Sequence, residues 1–139
     1  MYEATVQRWL DAWSGGDLED LDAIVAPDFV RFAPTSLNQV THSLAEIKQV
    51  IIGYRTAFPD ARIALGEIVC QDDRAFYRWT QTGTNTGPGD FPPTGKAMNV
   101  TGVCFAKFRD GRMIEESGYF DVLDFMIQLG IMMTPGSEG

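Results

Sequence analysis

The residue best suited by type and position to do chemistry is Asp121, near the end of the chain. It closes an alternating run, 113–121, that predicts a final β-strand. Alternation puts Ser117, Tyr119 and Asp121 on one face of this strand. If that face lines an apolar cavity, the poorly solvated carboxylate becomes a useful general base. If it does not, Asp121 is the exposed N-cap of a helix over 122–130, and spacing alone leaves the two interpretations balanced.

Aromatic residues elsewhere in the chain could form the walls of such a cavity. The expected substrate pocket contains mostly large or aromatic side chains: Trp13, Phe29, Tyr54, Phe58, Trp79, Ser117, Tyr119 and Phe125, with Trp9 and Met126 as further wall candidates. Tyr54 or Tyr119 could donate to a substrate oxygen, although each singly is more typical of a core tyrosine. Arg31 or Arg78 could stabilise an enolate oxygen, although a solvated sheet face is more typical of Arg78, and we expect His42 at the surface.

Chain length and net charge limit the number of domains and the classes of partner. With 139 residues the chain is expected to form one domain, 1–139, in which 132–139 is a flexible tail. The formal net charge of −8 and the lack of a basic cluster argue against nucleic acid and against an anionic membrane surface.

The cysteine and histidine content argues against a metal site. Cys70 and Cys104 lie in apolar, strand-like runs and are expected to be free thiols, and a single histidine leaves a zinc site too few ligands.

No apolar stretch is long enough to span a membrane, and no basic start followed by an apolar core indicates a signal peptide. We therefore expect a cytoplasmic protein.

The elements that position the candidate residues follow from hydrophobic periodicity. Helical spacing predicts helices over 2–14, after Asp17 as far as Pro27, and over 44–58, where Ser43 and Glu46 form a capping box. Alternating runs predict strands over 29–32, 62–70, 75–86, 98–108 and 112–121. Short turns join the last four strands, so we expect an α+β half-open cone with three N-terminal helices packed on a curved antiparallel sheet.

Several short motifs, in this order, resemble the SnoaL-like polyketide cyclase (ester cyclase) family of the nuclear-transport-factor-2-like, cystatin-like superfamily. They are the segment 54–60, Arg78-Trp79, Gly83-Thr84-Asn85, the loop segment 92–96, Asp110-Gly111-Arg112, and Asp121 followed by Gln128-Leu129-Gly130. The resemblance covers nearly the whole chain.

The resemblance implies a cofactor-independent, aldol-type ring closure of an apolar, polyketide-like ester, with Asp121 as the base. It favours a pocket position for Asp121 over the helix cap. Three positions depart from the family: Phe32 and Asn85 stand where histidine is common, and Ser117 where tryptophan is often found.

Two other functions stay open on the same fold. The domain could bind a small molecule or dimerise without catalysis, or it could be an epoxide-hydrolase-like hydrolase in which Arg78 and Asp121 activate water. We also expect a homodimer, because Tyr77, Val103 and Phe105 would form apolar surface patches in a monomer if they point outward.

Overall fold

The computed structural model describes residues 2–34, 40–90 and 92–132, so that most of the predicted tail, 133–139, lies outside the described residues. Within these ranges the protein has the predicted α+β architecture, with helices packed on one face of a curved six-stranded sheet. The elements are α1 (Glu3–Trp13), a 3₁₀ turn (Leu18–Asp20), α2 (Leu21–Ile24), β1 (Val25–Phe32), β2 (Val40–Thr41), α3 (Leu44–Ala57), β3 (Arg62–Gln71), β4 (Arg74–Thr84), β5 (Ala97–Arg109), β6 (Arg112–Phe120) and α4 (Val122–Gln128).

The sheet is mixed rather than wholly antiparallel. Its strand order is β2-β1-β6-β5-β4-β3, and β3 to β6 form the predicted antiparallel meander. β1 joins the meander by pairing in parallel with β6, which places Arg31 directly beside Glu116. The register of this pair shifts between Val25 and Val30, so Pro27 lies within β1 at an irregularity where the missing N–H is tolerated.

The N-terminal helices bury their apolar faces as their periodicity predicts. α1 buries Trp9 and Trp13, among others, and α3 begins at the predicted capping box. The Ser43 hydroxyl accepts from the Glu46 N–H at 3.1 Å, and the Glu46 carboxylate accepts from the N–H of His42 at 2.6 Å.

In the described parts of the chain we find no helix of the length and apolar character that crossing a membrane requires.

A bulge in β6 decides which of its residues face the helices. The β5–β6 register runs from Lys107↔Glu115 to Phe108↔Met113, which leaves Ile114 as an extra residue. Glu116 therefore lies on the inner face with Met113, and Gly118 and Phe120 continue that face.

The same bulge turns Ser117 and Tyr119 to the outer face, because a shift of one residue exchanges the two faces of a strand. Tyr77 was expected to be exposed if it pointed outward, but it points inward and is fully buried.

Candidate active site

A cavity of about 680 Å³ lies between the inner face of the sheet and the helices. Five of the predicted pocket residues line it: Trp13, Tyr54, Phe58, Trp79 and Phe125; Trp9 and Met126 line it too. Neighbouring rings form an almost continuous aromatic wall, with centroids 5.7 Å apart for Trp13 and Tyr54, and 5.2 Å apart for Tyr54 and Phe58. A volume of this order suits a small organic ligand with largely apolar surface.

Trp79 can lie flat against the sheet because the residue across from it has no side chain. Gly102 pairs with Trp79 in the β4–β5 register, and a Cβ built on Gly102 would come within 2.1 Å of the indole ring. The indole N–H donates to the Cys104 sulfur at 3.2 Å. Gly102 is therefore part of what shapes this wall of the cavity.

Three of the predicted pocket residues lie elsewhere. Phe29 is fully buried in the core, with its ring centroid 5.5 Å from that of Trp9, and it does not line the cavity. Ser117 and Tyr119 lie on the outer face of β6, and Tyr119 is 48% exposed. Arg78 and His42 are exposed, as the sequence predicts.

Sequence spacing left Asp121 either in the pocket or at a helix cap, and the structure places it at the helix cap. Its side chain is exposed, and its Oδ1 accepts a hydrogen bond from the Asp124 N–H at 2.9 Å, at the start of α4. Asp121 is not among the residues that line the cavity, although its neighbours Phe120 and Val122 are. It therefore lies at the rim, with its carboxylate engaged by the helix.

A second carboxylate, that of Glu116, lies on the cavity wall. Its side chain is only 1% exposed. Oε1 accepts from Arg31 Nε at 3.3 Å, and Oε2 accepts a hydrogen bond from the Tyr77 hydroxyl. The glutamate can reach Tyr77, two strands away, because the residue opposite it on the intervening strand is the small Ala106.

Burial dominates the electrostatics of this cluster. It raises the pKa of Glu116 above its ordinary value, and the nearby Arg31 guanidinium opposes that rise. Burial also raises the pKa of Tyr77 and of Cys104, and the charge of Glu116 adds to both shifts. Tyr77 is thus held as a hydrogen-bond donor and Cys104 as a neutral thiol. The guanidinium of Arg31 also lies over the Trp13 ring, 5.1 Å from its centroid.

Glu116 was not predicted as a cavity residue because sequence alternation places the inner face of β6 on the opposite parity. The pattern was ambiguous: Glu116 alternates in step with Ile114 and Phe120, whereas Ser117 and Tyr119 alternate in step with Met113. Its partner Arg31 was recognised as a candidate group, but a parallel contact between β1 and β6 cannot be deduced from either segment alone.

The hydroxyl of Tyr54 is a further polar feature of the cavity. Among the described residues it is the one buried side-chain polar atom without a hydrogen-bond partner. Burial raises the pKa of this tyrosine, so its hydroxyl remains protonated and able to donate. A buried donor without a partner is costly, and its position on the cavity wall fits a ligand that brings an acceptor oxygen.

The loop that follows β4 approaches the cavity, and Asn85 anchors it through Thr94. The buried Asn85 amide donates to the carbonyl of Ala57 at 3.3 Å and accepts from the N–H of Thr94 at 2.8 Å. Gly89 and Asp90 of the loop line the cavity. Both ends of the Asn85 amide are thus engaged in structural contacts.

No group of three or more His, Cys, Asp or Glu side chains with metal-binding geometry occurs within residues 2–34, 40–90 and 92–132.

Comparison with known proteins gives the family. The family model for the SnoaL-like polyketide cyclases matches residues 3–129. A search of curated protein sequences found no match.

Solved structures agree in fold. A protein of Jannaschia sp. CCS1 named as a SnoaL-like polyketide cyclase has a TM-score of 0.82 at 21% identity, over 93% of this chain and 91% of that one. IdmH of Streptomyces antibioticus, named as a polyketide cyclase, has a TM-score of 0.78 at 27% identity, over 91% and 96%. A Catenulispora acidiphila protein with a ketosteroid-isomerase-like fold has a TM-score of 0.80 at 14% identity, over 96% and 98%. The chain belongs to the SnoaL-like polyketide cyclase family.

Proposed function

We propose that the protein is a cofactor-independent cyclase or isomerase-type enzyme that acts on an apolar, polyketide-like carbonyl compound. Family membership supports a role of this type. The observation that carries the proposal is the cavity of about 680 Å³, whose walls are mainly aromatic and whose few polar groups include one buried carboxylate and one unpartnered hydroxyl. Such a combination is typical of a site that orients an apolar substrate and moves a proton.

The proposed reaction requires only proton transfer. A carboxylate removes a proton from the carbon next to a carbonyl group, and the C–H electron pair forms an enolate. The enolate carbon attacks a second carbonyl of the same molecule, and the proton is returned to the new alkoxide, so that the product is an isomer of the substrate. The Tyr54 hydroxyl can donate to the oxygen on which charge develops. Two carboxylates lie near enough for consideration as the base, Glu116 on the wall and Asp121 at the rim, and the role of Asp121 stays a prediction.

The test is ring closure of a probe substrate. An aryl β-keto ester with a second ketone in its side chain is incubated with the protein, and products are separated by chromatography and weighed by mass spectrometry. We expect a cyclic isomer, or its dehydrated form, at a rate above that in buffer. Val100→Phe adds volume to the cavity wall and should reduce this rate. Val69→Phe should not, because Val69 lies on the outer face of the sheet and is 67% exposed. Product formation that is the same with and without protein would contradict the proposal.

A non-catalytic binding domain is the second candidate. The observation in its favour is Asn85, which stands where the family commonly has histidine and whose amide is occupied by structural hydrogen bonds. Saturable binding of the probe ester without ring closure would identify this function. The hydrolase alternative is less favoured, because Arg78 is exposed and does not line the cavity.

The outer face of the sheet supports a further part of the proposal, a homodimer. Val69, Phe76 and Phe105 follow one another across β3, β4 and β5 on this face, and the first two are 67% and 52% exposed. A second copy of the chain would cover this apolar row. Sedimentation velocity should then show a dimer that Phe76→Asp converts to monomer, and a wild-type protein that sediments only as a monomer would contradict this.

A further inference from the structure

The geometry points to Glu116, rather than Asp121, as the general base of this cavity, with Tyr77 and Arg31 as the groups that position its carboxylate. The inference rests on the proposed function, since it names the group that would remove the proton. The family resemblance points to Asp121 and does not predict a role for Glu116. The assignment of Glu116 follows from where the sheet places the two side chains.

The position of Glu116 meets the first requirement of a base, access to a ligand that is shielded from water. The residue lines the cavity although its side chain is 1% exposed, so a ligand in the cavity replaces the little solvent that reaches it. A carboxylate without its hydration shell is a stronger base than one in water.

The partners of Glu116 fix the position of its carboxylate and leave part of its hydrogen-bond acceptor capacity free. Arg31 Nε donates to one oxygen and the Tyr77 hydroxyl donates to the other. The two carboxylate oxygens carry four lone pairs between them, so the carboxylate keeps at least one that can receive a proton. Both donors are themselves fixed, Tyr77 by complete burial in β4 and Arg31 by its stack on Trp13.

Burial and the charged and titratable groups around Glu116 shift its pKa in opposite directions. Arg31 faces it from β1, Tyr77 from β4 and Cys104 from β5, while Tyr54 of α3 and Asp90 of the loop also line the cavity. Burial raises the pKa of Glu116, and Arg31, Tyr77 and Cys104 restrain the rise. The carboxylate is therefore more basic than that of an exposed glutamate, which favours general-base catalysis.

Asp121 lacks these properties. Its carboxylate is exposed, and one of its oxygens accepts from the Asp124 N–H of α4. A hydrated carboxylate is a weak base towards carbon acids. Asp121 is also absent from the residues that line the cavity, so its side chain would have to turn inward to reach a ligand there.

The experiment uses a probe that needs only a base in an apolar site, 5-nitro-1,2-benzisoxazole. Glu116 takes the proton from C3, the C–H electron pair completes a nitrile, and the N–O bond breaks to leave 2-cyano-4-nitrophenolate, which is measured by its absorbance. The protonated Glu116 then loses its proton to solvent. The probe is flat, apolar and unrelated to any polyketide.

Two variants that replace a carboxylate by its amide form a matched pair, Glu116→Gln and Asp121→Asn. General-base catalysis typically contributes 10²–10⁴-fold, so we expect Glu116→Gln to lower kcat/KM by about 100-fold. We expect Asp121→Asn to stay within about twofold of the wild type, because Asp121 contacts no ligand in this assignment. Equal rates for the wild type and Glu116→Gln would overturn the inference, as would a loss confined to Asp121→Asn.

The pH profile separates positioning from mere structure. The wild-type rate should rise with pH as Glu116 ionises. Tyr77→Phe removes a hydrogen bond that stabilises the carboxylate, so the pKa of Glu116 rises and the rising limb moves to higher pH. A purely structural Tyr77 would lower the rate and leave the limb in place, and that result would remove Tyr77 from the assignment.

The two proposals fail differently. Base catalysis that depends on Glu116, with no ring closure of the β-keto ester, supports the base and rejects the substrate class. Ring closure that survives Glu116→Gln supports the cyclase and rejects the base.

Discussion

Two carboxylates on one stretch of chain, Glu116 within β6 and Asp121 just after it, have opposite surroundings. Glu116 is buried, and its hydrogen-bond donors are side chains from β1 and β4. Asp121 is exposed, and its donor is the backbone of the helix that it begins. The difference teaches that the register of this sheet, rather than the local motif, selects which acidic group meets the cavity.

The largest expected effect comes from removing the cation beside Glu116. Arg31→Met leaves a buried carboxylate without its ion-pair partner, and breaking such a pair typically costs about 3–5 kcal/mol. Urea denaturation at neutral pH should show this loss, and adding Glu116→Gln to the same protein should restore part of it.

The matched control is Arg78→Met, at an exposed position of β4. A surface change of this kind should alter the free energy of unfolding by no more than about 0.5 kcal/mol. If the two arginine variants lose similar stability, the buried Arg31–Glu116 pair does not contribute specially to the stability of the fold.

A smaller effect, of opposite sign for stability and for binding, is expected at Tyr54. Because its buried hydroxyl has no partner, Tyr54→Phe should stabilise the unliganded protein by about 1 kcal/mol. The same change should weaken binding of 2-acetylnaphthalene, followed by tryptophan fluorescence, and leave binding of 2-ethylnaphthalene unaltered, since only the former carries an acceptor oxygen.

Tyr119→Phe is the control, because Tyr119 lies on the outer face and is 48% exposed. It should change neither affinity. A Tyr54→Phe protein that binds the ketone as tightly as the wild type would show that the hydroxyl is a packing feature.

Much of this arrangement could be predicted from local patterns, and the rest could not. Periodicity indicated the helices and the meander, and Trp13, Tyr54 and Phe58 were correctly expected at the cavity because each lies on a clear apolar face. The helix cap at Asp121 was also predictable, since capping involves residues close in sequence.

Glu116 was missed for two non-local reasons. The extra residue at Ile114 reverses the faces of β6, and no alternation pattern reveals a bulge of one residue. Its partner Arg31 is brought to it by the parallel β1–β6 contact, which joins distant parts of the chain.

The smallest effect is expected for loss of the cap. Asp121→Ala removes the acceptor for the Asp124 N–H and should destabilise the protein by about 1 kcal/mol, measured by urea denaturation. Its kcat/KM for the benzisoxazole should match that of the wild type. Loss of catalysis with unchanged stability would instead make Asp121 a participant in the chemistry.

The most direct test of the assignment is a carbon-13 NMR titration of the side-chain carboxyl groups, with and without 2-acetylnaphthalene. The structure predicts that Glu116 titrates above its ordinary pKa, and that the ligand shifts its resonance while the Asp121 resonance does not move. A Glu116 that titrates at or below its ordinary pKa, with a ligand-induced shift at Asp121 instead, would contradict the account.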